Sequence, residues 1–93
     1  MNNTVKPLVL VIEDDVKINQ LLIDYLTQAD YQTQAIFDGQ VALDVIASST
    51  PSAIILDLML PSVDGIEICK QVRKVSDVPI LMLTARIDEI DRF

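Results

Sequence analysis

Ninety-three residues leave room for one domain, whose core must be efficient at that size. Fourteen acidic residues against seven basic ones give a formal net charge of −7, which argues against non-specific binding to nucleic acid or anionic lipid. With no histidine and one cysteine, Cys69, the chain has no imidazole chemistry, no phosphohistidine of its own and no internal disulfide.

The predicted elements alternate. After a polar lead, Leu8 to Ile12 reads as a buried strand that runs out into Glu13-Asp14-Asp15. Val16 to Gln28 follows as a helix, with Ile18, Leu21, Leu22, Tyr25, Leu26 and Ala29 as its apolar stripe and Asp15 placed as its N-cap. Tyr31 to Ile36 is a second strand, and the alternating Gln32 and Gln34 mark it as a partly exposed edge. Asp38-Gly39 turns the chain into a helix over Gln40 to Ala47, with Val41, Leu43, Val45 and Ile46 among its apolar positions. A loop around Pro51 leads to a third strand, Ala53 to Leu56, which delivers Asp57 at its exit. A connection through Pro61 and Asp64-Gly65 precedes a helix from about Ile66 to Lys74 that buries Ile68, Cys69 and Val72. Pro79 to Leu83 is a fourth strand, ended by Thr84-Ala85, and Arg86 to Phe93 has helix-forming composition.

This βαβαβαβ order predicts an α/β fold, a doubly wound parallel sheet with helices on both faces. In such a sheet the acidic ends of the first and third strands fall on one side, where open α/β folds place their sites. Carboxylates gathered there need a cation or a proton, which makes Glu13, Asp14 and Asp57 a candidate site for a hard metal and phosphate chemistry. No signal peptide is visible, and the longest apolar runs, five to seven residues, are too short for a bilayer. A cytoplasmic protein with no membrane contact is expected.

Taken together, Val11-Ile12-Glu13-Asp14-Asp15, Leu56-Asp57-Leu58-Met59-Leu60-Pro61, Asp64-Gly65 and Leu83-Thr84-Ala85 resemble a bacterial response-regulator receiver domain. Cys69 and Arg73, with the Asp57 segment, are similar to the OmpR/PhoB-type subfamily, whose members carry a C-terminal winged-helix DNA-binding domain. The resemblance runs from Leu8 onward and implies a flavodoxin-like fold of strand order 2-1-3-4-5. It implies that Asp57 accepts a phosphoryl group from the phosphohistidine of a sensor histidine kinase, with Mg2+ as cofactor. Glu13 and Asp14 then match the metal-binding acidic pair, Met59 the position whose backbone carbonyl also coordinates the metal, and Thr84 the switch hydroxyl.

The family continues through a fifth strand, its terminal lysine and a fifth helix. The chain is therefore read as a receiver domain over residues 1–93, truncated after the fourth strand. It is expected to phosphorylate slowly, to self-associate through its fourth strand or as a homodimer, and to reach DNA only through a domain that these residues do not include. On this reading it is a signalling domain rather than an enzyme, its only chemistry being its own phosphorylation and dephosphorylation. One alternative is an inactive fragment acting as an interaction module. Another, a haloacid-dehalogenase-type phosphatase, wants a second aspartate where Met59 stands.

Overall fold

β-branched and leucine-rich runs make the strands. The computed structural model describes residues 5–60 and 63–83, and its elements are β1 (Leu8–Ile12), α1 (Val16–Gln28), β2 (Gln32–Ile36), a 3-10 turn at Gly39–Val41, α2 (Ala42–Ser49), β3 (Ala53–Asp57), α3 (Gly65–Arg73) and β4 (Ile80–Leu83). All strand pairs are parallel, in the order β2-β1-β3-β4. The chain winds one way from β1 to β2 and the other way from β1 to β3. The switch point therefore lies between the carboxyl ends of β1 and β3, where the crevice of an open α/β sheet forms.

Strand side chains alternate between two cores. Leu10, Ile12, Ile54 and Leu56 pack with Ala42 and Ile46 of α2 and with Ile68 and Val72 of α3. Val9, Val11 and Ile55 face the other way, where Leu22, Ile23 and Leu26 of α1 cover them. Among the described residues, two helices thus cover one face and one helix the other. Val9, Leu26, Tyr31, Ala53, Ile55, Pro79 and Leu81 line an open apolar groove of about 210 Å³ beside α1.

Local chemistry fixes the boundaries. Asp15 caps α1, its Oδ1 accepting from Lys17 N at 2.9 Å and Ile18 N at 3.1 Å. The helix ends in a Schellman turn: Asp30 takes a left-handed φ of 74°, Tyr31 N donates to Leu26 O at 3.0 Å, and Asp30 N donates to Thr27 O at 3.1 Å. Asp38 caps the 3-10 turn through Gln40 N, and Asp64 caps α3 through Ile66 N.

The α1 stripe differs from the sequence reading. Leu21 and Tyr25 are 53% and 66% exposed, and Ile18 is exposed as well. Of the expected stripe, Leu22 and Leu26 do face the sheet, and the rest of the inward line is Asn19 and Ile23; together they have the same i, i+3, i+4, i+7 spacing rotated on the helix. A polar residue heads that line, so apolar counting alone places the face elsewhere. On α2, likewise, Ala42 and Ile46 are buried while Leu43 is exposed, as is Val41 in the 3-10 turn before it. Cys69 is only partly buried, packed against the larger core. The expected helix over Arg86 to Phe93 lies outside the described residues.

Candidate metal and phosphoryl site

The sheet register builds the site. Ile12 and Leu56 are partners across β1 and β3, so the next residues, Glu13 just past β1 and Asp57 at the last position of β3, stand side by side. Carboxylate oxygens of Glu13, Asp14 and Asp57 lie within 4.8 Å of one another. Glu13 and Asp57 are 5% and 4% exposed, whereas Asp14 is open to solvent. The grouping inferred from the sequence is therefore brought together in space.

Backbone groups hold the two buried members. Met59 N donates to Asp57 Oδ1 at 2.9 Å, and Asp15 N donates to Glu13 Oε2 at 3.0 Å. Glu13 N donates in turn to Ile36 O at the end of β2, at 3.0 Å. Among the described residues no lysine or arginine pairs with the cluster. The ion pair seen there, Lys6 with Asp30 at 3.1 Å, sits at the opposite end of the sheet.

The uncompensated charge shows in Glu13. Burial pushes its carboxyl up from 4.5 to about 7; the neighbouring Asp57 and Asp14 carboxyls add to the rise, and the hydrogen bond from Asp15 N opposes it. A proton or a cation relieves this arrangement. The donor set, three hard oxygens at the mouth of a crevice with one partner solvated, fits a divalent cation such as Mg2+, which takes one or two carboxylates and keeps several waters.

Met59 lies in the turn that follows β3, half exposed. Thr84, the expected switch hydroxyl, lies outside the described residues, as do Ala85 and Pro61. Two further residues shape the site. A Cβ on Gly65 would stand 2.9 Å from Leu58 Cα and 3.0 Å from Asp57 O, so the first residue of α3 presses on the backbone that carries Asp57. The Asp64-Gly65 pair is thus more than a turn signal: Asp64 caps the helix, and Gly65 permits its approach. The other residue, Asn19, is fully buried next to Glu13. Its polarity within a helical apolar line was the signal available in the sequence.

A four-stranded parallel sheet in this order, with a carboxylate crevice at its switch point, defines a flavodoxin-like receiver domain. The sequence matches the response regulator receiver domain family over residues 9–93, and the chain belongs to that family: it is the receiver domain of a two-component response regulator. It is 48% identical over 86 residues to the transcriptional regulatory protein BaeR of Escherichia coli, covering 92% of this chain and 36% of that protein. It is 45% identical over 84 residues to the uncharacterized transcriptional regulatory protein YrkP of Bacillus subtilis, covering 90% of this chain and again 36% of the relative. The chain thus spans about a third of the length of these curated relatives. Among solved structures, the BeF3-activated N-terminal receiver domain of Klebsiella pneumoniae RstA superposes with a TM-score of 0.79 at 31% identity, over 89% of this chain and 74% of that one. The chemotaxis response regulator CheY4 of Vibrio cholerae gives 0.82 at 33% identity, over 88% and 71%.

Proposed function

We propose that this receiver domain carries a signal by accepting a phosphoryl group on Asp57 from the phosphohistidine of a sensor histidine kinase. The observation that carries the reading is the buried Asp57 carboxylate at the end of β3, within 4.8 Å of Glu13 and Asp14. An Asp57 oxygen forms the new P–O bond while the P–N bond to the donor imidazole breaks, and the imidazole leaves with the electron pair. In-line transfer of this kind rests on positioning and charge neutralisation. Met59 N holds the other Asp57 oxygen, and the close seat of Gly65 fixes the strand end.

Asp14, Glu13, Asp57 and the Met59 backbone carbonyl are the proposed Mg2+ ligands. A bound Mg2+ would neutralise charge on the phosphoryl oxygens. Thr84 is the proposed hydroxyl donor to the phosphoryl group. The names of the regulators it resembles, and the share of their length it spans, support a DNA-binding output elsewhere in the native protein. We place that protein in the cytoplasm.

Incubation with acetyl phosphate and Mg2+, followed by intact mass measurement, tests the acceptor. A phosphoryl mass gain is expected in the parent chain and not in Asp57→Asn. A gain that persists in the variant contradicts the assignment. Absence of any gain in a folded parent chain favours the inactive interaction module. Asp14→Ala should weaken Mg2+ binding in titration calorimetry, and an unchanged affinity would remove Asp14 from the ligand set.

A further inference from the structure

Asn19 is the one fully buried polar side chain on the sheet-facing line of α1, among Leu22, Ile23 and Leu26. Its Nδ2 donates to Glu13 O at 3.0 Å and Val11 O at 3.1 Å, with Ile36 O farther off at 3.4 Å. Its Oδ1 has no partner among the described residues. A buried acceptor left unpaired is a standing cost, and a leucine would fill a similar volume without it. What a leucine could not do is hold Glu13.

The Glu13 peptide is gripped on both sides. Its N–H donates to Ile36 O, and its carbonyl accepts from Asn19. Downstream, Asp15 N turns back onto the Glu13 carboxylate, and Asn19 N donates to Asp15 O at 2.9 Å. The loop is a closed circuit running from Glu13 through Asp15 to Asn19 and back. This circuit matters because of charge. Three carboxylates crowd within 4.8 Å, so their repulsion favours any movement that swings the β1 exit outward. Rotation of the Glu13 peptide would break the bond its carbonyl accepts from the Asn19 amide, so the amide opposes that movement.

We propose that Asn19 is a positioning residue for the acidic site. It ties the end of β1 to the first turns of α1, so that Glu13 and Asp14 stand ready for a cation before one arrives. This rests on the reading of Glu13, Asp14 and Asp57 as the cation site. Without the amide clamp the competent arrangement becomes one conformer among several. The apparent dissociation constant then rises by the inverse of its population.

The test is titration of the chain with Mn2+ and with Mg2+, alongside urea unfolding of the same samples. Asn19→Leu is expected to bind either ion about three- to tenfold more weakly, the loss expected if the competent conformer falls to between a third and a tenth. Its unfolding free energy should not account for the loss. Val72→Ala, a core change in α3 away from the crevice, should lose stability and keep the parent affinity. Asn19→Gln, which keeps the amide, should recover part of the binding. Equal affinity in parent and Asn19→Leu would overturn the proposal, as would a loss matched by Val72→Ala at equal stability. A parent chain that is folded but binds neither ion overturns the site reading and this inference with it. If Asn19→Leu does not fold, the parent alone decides. The Asn19 side-chain NH2 resonances should shift during a Mg2+ titration with the same midpoint as the Glu13 and Asp14 amides. Unmoved side-chain resonances would refute the clamp.

Discussion

Replacing Glu13 by glutamine should make the cation-free protein more stable at neutral pH, although it removes a charged partner of a backbone N–H. Glu13 is 5% exposed, and burial beside two other carboxyls raises its pKa from 4.5 to about 7. The folded state therefore holds this proton more tightly than the unfolded chain does. Stability from this group is complete below pH 4.5, declines as pH rises, and is lost once pH passes about 7. A gap of about 2.5 pH units at 1.36 kcal/mol each caps the cost near 3 kcal/mol. Glutamine keeps an oxygen for Asp15 N, and the favourable pull of that bond on the carboxylate is already contained in the net shift. The net expectation is a gain of up to about 3 kcal/mol at pH 8 and no gain at pH 4.5. Urea unfolding with EDTA, followed by circular dichroism in half-unit steps from pH 4 to 8.5, measures it. The informative quantity is the difference between parent and variant, because other carboxylates contribute to both curves. Adding Mg2+ at ten times its dissociation constant should restore about 1.4 kcal/mol to the parent at pH 8. A parent–variant difference that stays constant across the range would refute the reasoning.

Gly65→Ala should cost about 1–3 kcal/mol in urea unfolding, despite the better helix propensity of alanine, because the new Cβ meets Leu58 Cα at 2.9 Å. A neutral result would mean that α3 can retreat from β3. Asp30→Gly should add about 0.5 kcal/mol, because glycine takes the left-handed φ of 74° without strain and the exposed ion pair with Lys6 is worth little. A thermal melt that falls instead would assign that pair a larger role. β4 has one neighbour among the described residues, and Leu81 is 61% exposed beside the apolar groove. The chain should therefore self-associate through this edge, and Leu81→Lys should weaken the association in a dilution series by analytical ultracentrifugation. A monomer at every concentration would reject the edge as the contact.

Most of the scaffold follows from signals local in sequence. β1 and α1 begin and end where the apolar run, the Asp15 cap and the helical spacing predict. The carboxylate grouping was legible because parallel strands leave a sheet on the same side, so chain order converts directly into proximity. Less accessible was whatever depends on how a helix rolls on the sheet. Leu21 and Tyr25 extend the stripe of Leu22 and Leu26 as well as Ile23 does, and only contact with Val9, Val11 and Ile55 selects between them. The same roll carries Asn19 inward, and its polarity among apolar neighbours at helical spacing was the one sign of it in the sequence. The raised proton affinity of Glu13 depends on burial, which no spacing rule supplies.

The hydrogen bond from Met59 N to Asp57 Oδ1 has a stereochemical consequence. A carboxylate free in water has two equivalent oxygens, and an electrophile meets either with equal chance. Here the fold has made them different. One is fixed to the turn after β3 by the Met59 N–H, so on the proposed acceptor reading Oδ2 is the oxygen expected to react. The side chain is desymmetrised before any partner approaches, and a bond formed at Oδ2 can leave the restraint on Oδ1 in place throughout.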